Sequence, residues 1–314
     1  MTSQALGNSE INNYNAENTN ILGFQRTNQT NNQTNNEALH NLEGNDGTES
    51  TNLQNQSLAG SWGIWTEIYG SRSNNGDAKS SLWAGYVGMH YFVSDQNIIG
   101  LIGQFDWSDQ TDSSNGSKVD GRGWMIGPYI AGKFEDQTLY YEASIRYGRS
   151  ENNISPIGTF TDKFETERLM LSRKLTGEYK HDTVTVRPEI GLTWYKESQK
   201  SYTDSLNHKI PEQVISTGEF RFGPVFSKQV KLDNGNIITP NFGISGVYNF
   251  DVRNNNTSKG TSTNTDELRA RFTVGVKTTN AMGWSLSAAS FYDGVGIDDY
   301  YSYGGSIKLT VPLN

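Results

Sequence analysis

The chain has 314 residues, with 26 Lys plus Arg against 34 Asp plus Glu for a net charge of −8, and it contains no cysteine. The missing cysteine excludes a disulfide framework, a thiolate nucleophile and any Cys-bound zinc or iron–sulfur centre. The acidic balance, with no Lys/Arg cluster to neutralise phosphates, argues against nucleic acid as a partner. No window approaches 18 consecutive apolar residues, so a membrane-crossing helix is excluded. With 33 Gly, 16 Tyr, 13 Phe and 7 Trp, what remains is an aromatic- and glycine-rich β-protein.

Residues 1–59 are polar and biased toward Asn, Gln and Thr. Asn12, Asn13, Asn15, Asn18 and Asn20 are followed by Asn28, Asn31, Asn32, Asn35 and Asn36. Apolar side chains are too sparse here to offset the ~1–2 kcal/mol per residue that ordering a backbone costs. The segment reads as a disordered linker or a pore-threading stretch, with Glu37–Leu42 as its one candidate helical turn. Met1–Glu10 has neither a basic nor an apolar stretch of the kind that opens a secretory signal.

The composition changes at Gly60-Ser61-Trp62-Gly63-Ile64-Trp65, and from there residues 60–314 alternate with period two, the mark of strands with two unlike faces. In 139–148, Leu139, Tyr141, Ala143, Ile145 and Tyr147 oppose Glu142, Ser144, Arg146 and Gly148. In 183–195, Val184, Val186, Pro188, Ile190, Leu192 and Trp194 oppose Thr185, Arg187, Glu189, Gly191 and Thr193. Segment 217–226 sets Phe220, Phe222, Pro224 and Phe226 against Thr217, Glu219, Arg221 and Gly223. Segment 268–277 sets Leu268, Ala270, Phe272, Val274 and Val276 against Arg269, Arg271, Thr273, Gly275 and Lys277. The last places Ile307, Leu309, Val311 and Leu313 opposite Ser306, Lys308, Thr310 and Pro312.

Twelve such segments follow in order: 60–72, 79–94, 97–109, 121–134, 137–150, 164–180, 183–197, 212–229, 235–251, 265–278, 281–293 and 299–313. Short turns at Asp95-Gln96, Glu135-Asp136, His181-Asp182, Asp233-Asn234-Gly235 and Thr279-Asn280 alternate with longer polar loops at 73–78, 110–120, 151–163, 198–211, 252–264 and 294–298. An even number of long antiparallel strands, with short turns at one rim and long loops at the other, is how outer-membrane barrels are organised. The expectation is therefore an all-β protein: a closed, antiparallel, twelve-stranded transmembrane β-barrel behind a disordered polar N-terminal segment.

A soluble sandwich or jelly roll is the plainer alternative. Three features oppose it. Charged residues sit mid-strand on the polar face, as a wet lumen allows: Glu142, Arg146, Arg187, Glu189, Glu219, Arg221, Arg269 and Arg271. Aromatics gather near strand ends on the apolar face, with Trp62, Trp83, Trp107, Trp124, Trp194 and Trp284 fit for two interfacial girdles. A ring of twelve strands also leaves no open edge. Two places resist the pattern. Arg173 falls in phase with Leu169, Leu171 and Leu175, which calls for a bulge or a position near the interface. In 79–94, both Trp83/Val87/Tyr91 and Leu82/Tyr86/His90 are candidates for the outer face.

The opening strand with Tyr69-Gly70-Ser71, the stretch Tyr202-Thr203-Asp204-Ser205-Leu206 before Pro211-Glu212, and the closing Tyr303-Gly304-Gly305 with alternating Ile307, Leu309, Val311 and Leu313 together resemble the autotransporter β-domain, the translocator of type V secretion. The resemblance spans about 60–314. It implies a monomeric barrel in the bacterial outer membrane, long loops extracellular, that anchors and exports an N-terminal passenger. It also implies that the closing strand is read by the barrel assembly machinery, although the chain ends on Leu313-Asn314 where the family usually has an aromatic. The sequence is accordingly expected to be part of a longer precursor. The partners so implied are outer-membrane lipid, the assembly machinery and the chain's own passenger segment. A porin- or receptor-like barrel with ligand-binding loops is the runner-up.

Nothing in the sequence suggests an enzyme or a cofactor. His40, His90, His181 and His208 form no paired metal motif. Asp204, Ser205 and His208 share one polar loop and read better as a solvated turn than as a triad. Asp109, Asp112, Asp251, Asp293, Asp298 and Asp299 collect near the long-loop rim and read as solvated acidic loops rather than a Ca²⁺ site, since the tract Asp293–Asp298 lacks the alternating oxygen ligands of a calcium loop. No nucleotide-binding loop is present to supply energy for export.

Overall fold

The structure, a computed structural model, describes residues 58–114, 116–135, 137–155, 160–254, 268–280 and 282–313. The expected linker over 1–57, including the turn at Glu37–Leu42, lies outside the described residues, as do Asp136 and most of the loop at 252–264. The described residues form β-strands and no helix.

In chain order the strands are β1 (Trp62–Asn75), β2 (Ala78–Ser94), β3 (Asn97–Asp112), β4 (Ser117–Lys133), β5 (Leu139–Ser155), β6 (Asp162–Gly177), β7 (Tyr179–His181), β8 (Val184–Gln199), β9 (Tyr202–Thr203), β10 (Lys209–Ile210), β11 (Gln213–Ser227), β12 (Val230–Lys231), β13 (Ile237–Asn254), β14 (Arg269–Thr279), β15 (Ser285–Val295) and β16 (Tyr300–Leu313). Twelve of these are long staves. The short pieces β7 and β12 extend hairpins at the short-turn rim, and β9 and β10 form a separate two-stranded ribbon at the other rim.

Every stave pairs antiparallel with its neighbours in sequence, β8 pairs with β11, and β1 closes on β16 from Trp62↔Leu313 to Asn75↔Tyr300. The result is a closed twelve-stranded antiparallel barrel. Closure matters energetically because it gives the backbone N–H and C=O groups of every stave an adjacent stave to pair with on both sides, which is the condition for a sheet to stand in hydrocarbon. A two-layer sandwich is therefore corrected by the ring itself.

The staves run further than the alternation suggested. β3 continues to Asp112 and β5 to Ser155, while β6 starts at Asp162. Polarity on both faces signalled loop in the sequence. Above a lipid band both faces meet water, so the alternation fades while the backbone ladder goes on.

One ambiguity is resolved. In β2, Leu82, Ala84, Tyr86, His90 and Phe92 are buried inside the barrel, and Trp83, Val87 and Met89 are exposed outside. The bulge invoked for Arg173 is overturned, because β5 and β6 pair without a register shift from Leu139↔Gly177 to Ile154↔Asp162. Arg173 stays on the outer face, opposite Ala143 and Leu192. It lies one outward position from Leu175, whose cross-strand partner Tyr141 packs against Phe134 at the short-turn rim, with ring centroids 5.0 Å apart. A long arginine stem can carry its charge that far along an apolar surface.

Candidate functional site

The barrel interior is the site, and its walls are not alike. On β1 to β5, Trp65, Tyr69, Leu82, Ala84, Tyr86, Phe92, Ile98, Ile102, Tyr129, Ala131 and Tyr140 form one apolar cluster joined by Phe291 of β15. Small residues make the room. A Cβ on Gly88 would stand 2.2 Å from the Trp65 ring, so that indole lies flat over a glycine. Its Nε1–H donates to Tyr129 Oη at 3.0 Å, the same oxygen lies 2.9 Å from His90 Nδ1, and Lys308 Nζ sits 4.5 Å from the indole centroid.

The chain enters the barrel beside this cluster. Gly60 N–H donates to Phe92 O, Phe92 N–H to Ser61 O, and Ala59 N–H to Asp95 Oδ1. These bonds fix the strand start against β2 at the short-turn rim. Leu58 is half-buried and packs against the interior apolar cluster.

Charged residues line the interior as well, on these staves and on the others. Of the eight lumenal residues expected from the sequence, Glu142, Arg146, Arg187, Glu219, Arg269 and Arg271 are buried, and Glu189 and Arg221 are half-buried, all in the inward phase. They fall into separate groups. Glu142 meets Lys174 at 2.8 Å, and Arg146 donates to Gln104 Oε1 at 3.0 Å. Arg187 bonds Glu178 at 2.9 Å and Ser227 Oγ at 2.8 Å. Glu219, Arg221, Arg269 and Arg271 converge with Asp293: Arg221–Glu219 is 3.1 Å, Arg269–Glu219 3.5 Å, Arg269–Asp293 2.9 Å and Arg271–Asp293 3.9 Å.

The sequence reading did not single out the tightest ion pair of the interior. Arg168 of β6 grips Asp106 of β3 with two hydrogen bonds of 2.9 and 2.6 Å, spanning 62 residues of sequence and two intervening staves. Glu67, Lys308 and Glu197 were also passed over, and all three are buried. Their signal was the same one: each sits in the inward phase of its alternating segment.

The outer face is apolar. Trp62 and Trp284 lie toward the short-turn rim and Trp83, Trp107 and Trp124 toward the other, all exposed; Trp194 is half-buried in the same outward phase. Between them stand Ile68, Val87, Leu101, Ile126, Leu192 and Val274, each more than a third exposed. An apolar belt around the whole circumference far exceeds what a water-soluble monomer displays. It matches what lipid wants, with tryptophans at both edges.

Other candidates resolve into structure. Asp204 Oδ1 accepts the backbone N–H groups of Leu206 and His208, and Asp162 accepts that of Ser205, so this trio shapes the β9–β10 turn. Burial pushes the Tyr202 phenol in that ribbon well above its ordinary range. Asp293 belongs to the lumenal network rather than to a rim, and the Asp251 side chain lies outside the described residues. Among the described residues, no three His, Cys, Asp or Glu gather as metal ligands would.

A closed twelve-stave ring, greasy outside and charged within, defines a transmembrane barrel of the outer membrane. Residues 57–290 match the family described as autotransporter beta-domain, which is about three-quarters of the chain, and the protein belongs to that family. It is thus a translocator barrel, built to export a passenger. Among solved structures it is similar to the β-domain of the Bordetella autotransporter BrkA, at 19% identity over 81% of this chain and 99% of that one, with a TM-score of 0.65. It is similar also to the translocator domain of NalP from Neisseria meningitidis (15% identity, 88% and 93% covered, TM-score 0.63). A third is the transport unit of AIDA-I from Escherichia coli (13%, 88% and 97%, TM-score 0.61). These likenesses speak to the fold. A search of curated protein sequences returns no match.

Proposed function

We propose that this barrel exports its own N-terminal segment through the lumen, and acts as a transport unit rather than an enzyme. The observation that carries the reading is Leu58: the chain is pinned to the rim at Ala59–Ser61 and turned so that the preceding side chain packs against interior residues. A segment meant to stay outside the barrel would point away from that cluster. The mid-strand charges Glu142, Arg146, Arg187, Glu189, Glu219, Arg221, Arg269 and Arg271 give the passing segment a polar, hydrogen-bonding surface. The tryptophans Trp62, Trp83, Trp107, Trp124, Trp194 and Trp284 anchor the wall at the two lipid interfaces. Residues 1–59 form the linker or threading part and 60–314 the barrel.

In this reading the loop-bearing rim is extracellular and both ends of the barrel domain are periplasmic. The closing strand β16, with Ile307, Leu309, Val311 and Leu313 facing outward, carries the signal for the barrel assembly machinery. The barrel works as a monomer, since the ring leaves no unpaired stave to recruit a second copy.

The test uses the chain's lack of cysteine. With Asn31→Cys in the full chain, a membrane-impermeant maleimide added to intact cells should label the protein. Labelling that appears only after the outer membrane is permeabilised would overturn the reading.

A further inference from the structure

On the outer face, toward the loop-bearing rim, the cross-strand register sets one row of side chains over five staves: Trp83 of β2, Trp107 of β3, Arg122 of β4, Glu151 of β5 and Glu165 of β6. All five are exposed. Staves of a membrane barrel tilt by about 35–45°, so a row at right angles to them climbs through the interface. The change from indole to charge along this row is where it leaves the hydrocarbon.

The row runs through two adjoining hollows. The one nearer the apolar belt, of about 400 Å³, has Phe105 and Trp124 in its wall beside Arg122 and Glu151. The other, of about 800 Å³, shares Trp107, Arg122, Glu151 and Glu165 with it and continues over Asp109, Asp120, Asn153, Lys163 and Lys200. Together they are continuous with the lipid-facing belt at one end and polar at the other.

The polar end is built at a cost. Asp109 stands directly opposite Asp120, and Glu151 directly opposite Glu165. Like charges so placed destabilise a sheet. Arg122 answers Glu151 at 2.8 Å. Asp109 accepts the Ser81 hydroxyl at 2.7 Å, and Asp120 accepts the Asn153 amide at 2.7 Å. Hydroxyl and amide donors are thus what these carboxylates already take. Around the larger hollow four carboxylates outnumber the three cations Arg122, Lys163 and Lys200, so its field does not favour a plain phosphate headgroup. A sugar meets all of these conditions. Its C–H face lies on an indole, its hydroxyls donate to carboxylates, and its oxygens accept from arginine and asparagine.

We propose that this hollow seats the saccharide headgroup of a glycolipid in the outer leaflet, with Trp107 under the sugar and the acyl chains running down over Phe105 and Trp124. The proposal rests on the reading that puts the loop-bearing rim outside the cell, and adds a ligand that export does not itself call for. The aromatic end fixes the depth of the headgroup, and the paired acids select hydroxyls over a bare anion.

The full chain, folded in detergent and titrated with a short-core lipopolysaccharide in the presence of EDTA, should bind it saturably. Trp107→Ala and Arg122→Ala should each weaken binding about tenfold. Lys231→Ala, at an exposed position on the short-turn rim, should leave it unchanged. Heat-modifiable migration of each variant shows that it is folded. Phosphatidylglycerol should bind about tenfold more weakly or less. The site is overturned by absence of saturable binding, by phosphatidylglycerol binding as tightly, by indifference to both Trp107→Ala and Arg122→Ala, or by an equal loss in Lys231→Ala. Orientation is read separately: Leu206→Cys, exposed in the β9–β10 turn, should be labelled on intact cells by an impermeant maleimide. Labelling without saturable binding overturns the site and leaves the orientation standing. Labelling only after the outer membrane is permeabilised overturns the orientation and the glycolipid occupant with it.

Discussion

Two parts of the same lumen solve the problem of a buried interior in opposite ways. The wall of β1–β5 fills itself with aromatics laid over glycines, tied by one Trp65–Tyr129–His90 hydrogen-bond cluster. The wall from β11 to β15 is lined with arginines and acids, and leaves Arg271 without a hydrogen-bond acceptor among the described residues. Apolar packing is complete in itself, whereas a charged wall needs partners supplied with matching geometry. In the proposed reading, the first wall resists collapse and the second offers a polar surface to a passing chain.

The comparison can be broken at four points. The largest effect is expected at the Asp106–Arg168 pair, whose side chains are each 2% exposed. Asp106→Ala leaves a guanidinium buried and unpaired and should cost about 3–5 kcal/mol, read as a lower urea midpoint for loss of the folded, heat-modifiable form. Asp106→Leu with Arg168→Met should recover much of that loss. Next is the contrast between faces. Val274→Lys places a cation against lipid and should cost about 2–4 kcal/mol at mid-bilayer, whereas Thr273→Lys on the adjacent inward position should insert nearly as the parent does. The quantity to compare is the fraction of each variant that assembles in lipid vesicles.

A smaller effect is expected inside the aromatic wall. Gly88→Val would push Trp65 off its seat at a cost of about 1–3 kcal/mol, and tryptophan emission should shift as the indole loses its contact with Tyr129. The smallest is at the exposed pair Arg122–Glu151, where the side chains are 73% and 64% exposed at 2.8 Å. Arg122→Ala should move stability by no more than about 1 kcal/mol, by the same urea midpoint. A large loss there would mean that the wall above the tryptophans is not bathed in water.

The strands were legible because a barrel in lipid imposes the simplest sequence rule there is, one face for oil and one for water, and Val274/Thr273 or Leu192/Thr193 obey it residue by residue. Phase carried the eight expected charged residues to the interior. Phase could not say which of them meet, since Arg168 finds Asp106 two staves away and Arg269 finds Asp293 only because β14 lies beside β15. The 79–94 stretch was ambiguous for a physical reason. Its lumenal side is lined by Leu82, Tyr86 and Phe92 of the aromatic wall, so both faces of β2 are greasy and alternation carries no contrast. Arg173 misled in the other direction, because a long stem lets a charge sit in an outward phase without a bulge.

The central claim is that the apolar face of the closed ring meets lipid. The most direct measurement is the migration of the full chain, folded in detergent, on SDS gels with and without boiling. The account predicts two band positions, the unboiled form compact and resistant, and no stable folded monomer in buffer lacking detergent. A single band indifferent to heating, from a protein that stays folded and monodisperse in plain buffer, would contradict it.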